Sequence, residues 1–176
     1  MICLDNIDSK RITPNDFIVL IEIPQGSNKK NEIDKETGLL KLDRFLKSSF
    51  VYPANYGFIP LTYCDDKDPL DVFVLSQEVL DPFVLVQCRP IGVVKMIDDG
   101  ELDEKIIAVP IKDSSMQSYQ DIINLPTSIL EKIKHFLLYY KDLENKSVVI
   151  EGIEGKSQAF ETIKNALNKY LKLKNN

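Results

Sequence analysis

The chain has 176 residues, of which 44% are hydrophobic, and its formal net charge is −5 at pH 7. This length and composition suit one folded domain with a substantial core, and we expect that domain to span residues 1–176. The negative charge disfavours nonspecific binding to nucleic acid, because a polyanion is held by a broad positive field.

Three cysteines, Cys3, Cys64 and Cys88, lie too far apart in sequence for a zinc site or a small disulfide scaffold. Reduced thiols are therefore expected. Residues 1–5 contain no apolar signal core, and no stretch approaches the ~18 apolar residues of a membrane span. We expect a cytoplasmic protein with no membrane partner.

The first part of the chain predicts short strands separated by turns. Residues 17–23 are rich in β-branched and aromatic side chains and predict a strand. Residues 29–34 and 39–45 predict a hairpin with its turn at 36–38. Residues 50–60 contain many proline, glycine and aromatic residues, so we expect an irregular, well-packed segment there.

The middle of the chain predicts further strands. Residues 72–75 are apolar, and residues 83–96 predict one long strand that bends or breaks at Arg89-Pro90. Residues 105–110 predict a strand that leaves an acidic turn.

Helical patterns occur only late in the chain. Ser128 and Glu131 have the spacing of a capping box and predict the start of one helix, and a second helix is predicted to begin near Ser157. Residues 147–151 predict a short strand between them. Many short strands with two late helices indicate an α+β fold, a closed or partly closed antiparallel barrel with helices packed outside.

An acidic cluster at residues 65–71 is the strongest functional signal. Its aspartates precede a buried strand, and carboxylates this close repel one another unless a cation lies among them. Pro69 favours an extended backbone at Asp68, so Asp66 and Asp68 should project to the same side, while Asp71 opens the strand. Three carboxylates could then converge on a divalent cation. An EF-hand is disfavoured because Asp71 stands where that loop requires glycine.

A second acidic run, residues 98–104, connects two predicted strands. Such turns are usually solvated, and pattern alone favours that interpretation over a metal site. Oxygen ligands from both acidic runs would suit several Mg²⁺ ions, and phosphate oxygens would then need cationic partners. The candidates are Lys30, Arg44, Lys105 and Lys141.

The acidic cluster resembles the signature of soluble family I inorganic pyrophosphatase in its short bacterial form. That signature, Asp-x-Asp-Pro-hydrophobic-Asp-hydrophobic, stands here as residues 66–72, and the similarity extends in order over residues 17–151. The other matching runs are Ile21-Glu22-Ile23-Pro24, Lys30-Asn31-Glu32-Ile33-Asp34, Asp43-Arg44-Phe45, Tyr52-Pro53-Ala54-Asn55-Tyr56-Gly57, Arg89-Pro90-Ile91-Gly92-Val93, Lys95-Met96-Ile97-Asp98-Asp99 and His135-Phe136-Leu137-Leu138-Tyr139-Tyr140-Lys141-Asp142-Leu143-Glu144.

The resemblance implies a five-stranded OB-like antiparallel barrel with two main outer helices. It also implies a cytoplasmic enzyme, assembled as a hexamer, that hydrolyses pyrophosphate to two phosphates at a site holding several Mg²⁺ ions. In that reaction a metal-bound hydroxide attacks, and Asp68 is the general base.

The resemblance also implies a role for each matching residue. Asp66, Asp71 and Asp103 correspond to ligands of the principal metals, and Asp98 and Glu32 to ligands of further ions. The implied phosphate contacts are Lys30, Arg44, Tyr56, Lys105, Tyr140 and Lys141. Glu22, Tyr52 and Asp99 are implied to orient ligands and waters.

Lys67 departs from the family pattern, in which its position is usually small or acidic. We expect its ammonium to point outward, where it would affect metal binding little. Two other functions stay open at this stage: an OB-type module that binds oligonucleotides or other anions, and a metallohydrolase acting on nucleotides or longer polyphosphates.

Overall fold

The computed structural model describes residues 6–144 and 146–175. The predictions about residues 1–5, including Cys3, lie outside the described residues. The elements are β1 Phe17–Ile23, β2 Lys29–Ile33, β3 Leu40–Phe45, β4 Asn55–Ile59, β5 Leu70–Val74, β6 Leu85–Asp98, β7 Glu101–Leu102, β8 Lys105–Pro110, α1 Thr127–Tyr139, β9 Val148–Gly155 and α2 Lys156–Lys174.

Five strands close into a ring. The pairing order is β1, β4, β5, β8 and β6, and β6 pairs back with β1. This confirms the predicted five-stranded OB-like barrel. One pair, β5 with β8, is parallel, and the others in the ring are antiparallel. The predicted antiparallel barrel thus has one parallel pair, because five strands in a closed ring cannot alternate direction at every pair.

The segment predicted to be irregular contains β4. Asn55–Ile59 pairs with both β1 and β5, so the expectation of no regular structure over residues 50–60 was wrong. Gly57 explains how the strand fits, since a Cβ atom there would lie 1.9 Å from the carbonyl oxygen of Leu20. Only glycine permits this close approach of two backbones.

Strand β6 is continuous through Arg89-Pro90. Its register shifts between Pro90 and Gly92, where it pairs with β8, so the strand bends without breaking. Strand β6 has 14 residues and pairs with four other strands, β1, β8, β9 and β7. Its partner β9 extends to Gly155, beyond the strand predicted at residues 147–151.

The helices pack on opposite faces of the strands. Ile133 and Phe136 of α1 join a cluster with Phe73, whereas Ile163 of α2 joins a cluster with Val72. Adjacent residues of β5 thus point to different sides, as the alternation of a strand requires. None of the helices in the described ranges is long and apolar enough to cross a membrane.

The start of α2 near Ser157 was predicted correctly, but the capping box at Ser128 and Glu131 was wrong. Helix α1 begins at Thr127, its N-cap is Pro126, and no side chain caps it. Pro126 fits the position before the helix, but its side chain has no acceptor for the N–H groups of the first turn. The N-cap residue of helix α2, Gly155, likewise provides no side-chain cap. The carboxylate of Asp121, from elsewhere in the chain, accepts the Lys156 N–H at 2.9 Å instead.

The β2–β3 hairpin lies outside the barrel as a separate two-stranded sheet. Its residues are exposed or half-buried, unlike β1, which is buried throughout. Glu22 of β1 fastens the hairpin to the barrel, because its carboxylate accepts the Ile33 N–H at 2.7 Å and its carbonyl accepts the Asn31 amide at 3.4 Å.

Candidate active site

A cleft of about 780 Å³ separates the β2–β3 hairpin from the barrel. One wall is the hairpin, and the other is formed by the start of β5, the start of β8 and the loops before them. Twelve of the fifteen predicted site residues line this cleft: Glu22, Lys30, Glu32, Tyr52, Tyr56, Asp66, Asp68, Asp71, Asp103, Lys105, Tyr140 and Lys141.

Lys105 is the buried centre of the barrel wall. It is 5% exposed, and its Nζ lies 2.5 Å from an oxygen of Asp71 and 2.5 Å from an oxygen of Asp103. The parallel pairing of β5 with β8 sets Asp71 beside Lys105 in register. Burial favours the neutral amine of Lys105, but the two carboxylates outweigh it and raise the lysine pKa.

Two carboxyl groups of this wall, those of Asp66 and Asp103, have raised pKa values. Burial raises the pKa of Asp103, and Lys105 partly offsets that effect. Burial also raises the pKa of Asp66 to about 6, although the Asp68 N–H donates to its carboxylate at 3.1 Å. Burial thus disfavours the anionic form of these carboxyl groups, and a bound cation would offset that cost.

Asp68 lies in a tight loop at the mouth of the cleft. Its carbonyl accepts the Cys64 N–H at 2.9 Å, and its side chain is 55% exposed. Lys67 beside it is exposed, with φ of +69°, so the prediction that this lysine points outward is confirmed. Asp65 points away from the cleft and pairs with Lys169 of α2 at 2.8 Å.

The hairpin wall carries paired charges that remain partly solvated. Lys30 Nζ lies 3.3 Å from both Glu32 and Asp43, and its side chain is 28% exposed. Glu22 lies between this wall and the barrel. Burial, with Asp71 nearby, raises the pKa of Glu22 to about 8. The cleft therefore has cations and carboxylates on both walls.

Four aromatic residues pack against one another beside these charges. The ring of Tyr52 lies 5.2 Å from that of Tyr56 and 4.8 Å from that of Phe136, measured between centroids. Phe136 in turn stacks on Tyr140 at 4.7 Å. Helix α1 thus positions Tyr140, and with it Lys141, at the edge of the cleft.

Arg44, Asp98 and Asp99 are not among the residues that line the cleft. Arg44 is the register partner of Lys30, but its guanidinium donates to Asp43 at 2.7 Å and to Glu144 at 3.1 Å. Asp99 stands on an exposed turn with φ of +49°, 3.6 Å from Lys146. Their predicted roles stay predictions.

Asp98 gives the clearest indication that this region suits a cation. It forms an ion pair with Lys141 through Oδ2. Its Oδ1 is the single buried side-chain oxygen or nitrogen, within residues 6–144 and 146–175, that has no hydrogen-bond partner. Such an orphaned carboxylate oxygen is costly to bury, and a metal ion would satisfy it.

The donor set fits a hard divalent ion, since all the candidate ligands are carboxylates. In the described part of the chain, no three acidic, histidine or cysteine side chains already stand grouped for a metal. Lys105 lies between two of the candidate ligands, Asp71 and Asp103.

Sequence reasoning missed two residues that the structure places at the site. Lys35 lines the cleft and contacts Asp68, and Asp43 contacts both Lys30 and Arg44. Asp43 could have been found from its place beside Arg44, which is the register partner of Lys30 in the hairpin. Lys35 had no such signal, because its partner is 33 residues away.

Comparison with known proteins gives one consistent result. A sequence model of the family described as inorganic pyrophosphatase matches residues 19–171. A soluble inorganic pyrophosphatase of Chlamydomonas reinhardtii is 48% identical over 157 residues, which are 89% of this chain and 82% of the relative. The inorganic pyrophosphatase of Aquifex pyrophilus is 46% identical over 162 residues, 90% of this chain and 92% of the relative.

A solved structure agrees with these sequence matches. The inorganic pyrophosphatase of Helicobacter pylori superposes with a TM-score of 0.87 at 43% identity, covering 90% of this chain and 95% of that one. The similarity extends over both walls of the cleft, since the match to the family includes the hairpin, the acidic loop and β8.

Proposed function

The chain belongs to the inorganic pyrophosphatase family, and from this premise we propose that it hydrolyses pyrophosphate to two phosphates in the cleft between the hairpin and the barrel. Membership of this family implies a divalent metal requirement, and we propose Mg²⁺ as that metal. The proposal includes one catalytic domain spanning residues 1–176, a homohexameric assembly and a cytoplasmic location. The observation that most directly supports the proposed hydrolysis is that Asp71, Lys105 and Asp103 lie in a single cleft, opposite Lys30.

The metal ions would be held by carboxylates of the barrel wall. Asp66, Asp71 and Asp103 are the proposed principal ligands, and Asp98 and Glu32 are proposed to hold further ions. When bound, divalent ions supply positive charge for the pyrophosphate oxygens and make water a stronger acid. The orphaned Oδ1 of Asp98 and the raised pKa values of Asp66 and Asp103 support this assignment.

Asp68 is the proposed general base. Its side chain is exposed to the cleft and lies two residues from Asp66 and three from Asp71, so a water among these carboxylates can reach it. Asp68 accepts the proton of that water as the oxygen attacks phosphorus. Pro69 and the turn from Cys64 fix the backbone from which it projects.

Cationic side chains bind and orient the two phosphate groups. An ammonium has three donors, and Lys105 uses two on Asp71 and Asp103, which leaves one for a phosphate oxygen. Lys30, Arg44 and Lys141 add positive charge, and the hydroxyls of Tyr56 and Tyr140 add donors. These groups oppose the repulsion between pyrophosphate and an anionic nucleophile. Glu22, Tyr52 and Asp99 complete the proposal as positioning residues.

Phosphate release by the purified full-length protein tests the function. With Mg²⁺ we expect rapid release of phosphate from pyrophosphate, and with excess chelator no release above the protein-free rate. Slower turnover of nucleotides and longer polyphosphates is expected. No release with Mg²⁺ would contradict the proposal, and salt-dependent binding to single-stranded oligonucleotides would then favour an OB-type binding module.

A further inference from the structure

Lys35 spans the mouth of the cleft. It lies at the tip of the β2–β3 hairpin, and its Nζ is 2.5 Å from Oδ1 of Asp68 on the opposite wall. The contact joins residues 33 positions apart in sequence. Through Lys35, the hairpin therefore contacts Asp68, the residue proposed as the general base.

The tip that carries Lys35 has its own internal order. The Thr37 hydroxyl donates to the Asp34 carboxylate at 2.6 Å, and the Gly38 N–H donates to the Asp34 carbonyl at 2.7 Å. Gly38 has φ of +70°, a conformation that glycine adopts without strain. These bonds present the lysine stem toward the cleft without involving its ammonium.

The pair between Lys35 and Asp68 is exposed and therefore weak. Its two side chains are 75% and 55% exposed, so solvent screens their attraction and the pair can break readily. By contrast, the side chain of Lys105 is 7% exposed and held by two carboxylates. A long, flexible lysine in a weak ion pair can exchange partners, whereas breaking the pairs of a buried lysine has a larger free-energy cost.

We propose that Lys35 is a substrate-binding residue whose ammonium moves from the Asp68 carboxylate to a phosphate oxygen when pyrophosphate binds. This inference rests on the proposed function. Pyrophosphate is a stronger attractant for the ammonium than one carboxylate, because it carries several negative charges. The transfer leaves the Asp68 carboxylate free to accept a proton, so one movement both binds substrate and releases the base.

The test compares Lys35→Met with Lys29→Met. Lys29 is exposed on the same hairpin and does not line the cleft, so both variants remove one positive charge from one element. For Lys35→Met we expect KM for pyrophosphate to rise about tenfold with kcat changed less than about threefold, as for loss of one charge-assisted hydrogen bond. For Lys29→Met we expect both constants within about twofold of wild type.

Two readouts besides turnover complete the test. Calorimetric binding of methylenediphosphonate, which is not hydrolysed, should weaken about tenfold in Lys35→Met and not in Lys29→Met. In metal-free protein without ligand, hydrogen exchange of residues 33–39 should quicken in Lys35→Met alone, because the contact across the cleft is lost.

Specific results would overturn the inference. Unchanged KM and unchanged diphosphonate binding in Lys35→Met would show that Lys35 does not meet substrate. A fall in kcat at constant KM would show that it only orients Asp68. Both outcomes presuppose a wild-type enzyme active on pyrophosphate, so failure of the proposed function is distinguished by the wild-type assay itself.

Discussion

The two walls of the cleft hold their charges in opposite ways. On the barrel wall, Lys105 of β8 is buried between Asp71 of the paired strand β5 and Asp103 of the loop that precedes β8. On the hairpin wall, Lys30 and Lys35 form partly exposed pairs on a sheet of two strands that is separate from the barrel. One wall is fixed by burial and strand pairing, and the other is fastened mainly through Glu22.

This contrast suggests a division of labour. Buried charges are costly unless paired, but once paired they keep a defined geometry, which suits ligands that must converge on a metal. Exposed cations contribute little to stability and move at little cost, which suits groups that must meet an arriving anion. The comparison can be tested by removing one charge at a time and measuring stability in metal-free protein.

Lys105→Met should have the largest effect on folding. Methionine preserves the length of the side chain but leaves Asp71 and Asp103 facing each other without a cation. Breaking a buried ion pair costs about 3–5 kcal/mol, and we expect a loss of that size in the free energy of unfolding with chelator present. Denaturant titration measures it, and a loss below about 1 kcal/mol would show that the barrel wall is not pre-organised by this lysine.

Glu22→Gln should change the pH dependence of stability. The pKa of Glu22 is about 8 in the folded protein against 4.5 for an ordinary glutamate, so the folded state binds the extra proton between these values. Stability contributed by the protonated group is complete below pH 4.5 and is lost as pH rises through 8.

Glutamine keeps an acceptor for the Ile33 N–H and cannot ionise. We therefore expect metal-free Glu22→Gln to be more stable than wild type at pH 8.5 by about 2 kcal/mol, with the difference disappearing toward pH 5. Urea unfolding across this range measures the difference. A constant difference at all pH values would mean that Glu22 ionises normally and does not couple the two walls.

Lys30→Met should have the smallest effect on folding. Its pairs with Glu32 and Asp43 are partly exposed, so we expect the free energy of unfolding to change by less than about 1 kcal/mol. KM for pyrophosphate should nevertheless rise, because the proposed phosphate contact of Lys30 would be lost. A stability loss as large as that of Lys105→Met would remove the distinction between the walls.

The sequence was sufficient for the strands whose residues alternate or run apolar. The composition of β1 and β8 and the turn residues of the β2–β3 hairpin predicted these strands with nearly correct ends. It was insufficient for β4, because Pro53, Gly57 and neighbouring aromatics are typical of loops, whereas here the glycine permits a close backbone approach. The parallel pair of β5 and β8 follows from ring closure, which no local pattern encodes.

The site was predictable to a different degree. The spacing of Asp66, Asp68 and Asp71 is local, so it indicated a cation site without knowledge of the fold. The position of Lys105 between Asp71 and Asp103 depends on strand register, so the sequence identified this lysine only as a candidate phosphate contact, a role that the family resemblance also implied. Lys35 was missed because its pair with Asp68 depends on how the hairpin lies against the barrel, which is a tertiary property.

The central claim is that Asp68 is the base of a pyrophosphatase, and a comparison of Asp68→Asn with Asp65→Asn tests it most directly. Both aspartates are exposed in the same loop, but Asp65 pairs with Lys169 on the far side of it. With Mg²⁺, we expect Asp68→Asn to lower kcat by about 10²–10⁴ with its circular dichroism spectrum unchanged, and Asp65→Asn to retain wild-type activity. Equal activity of the two variants would contradict the account.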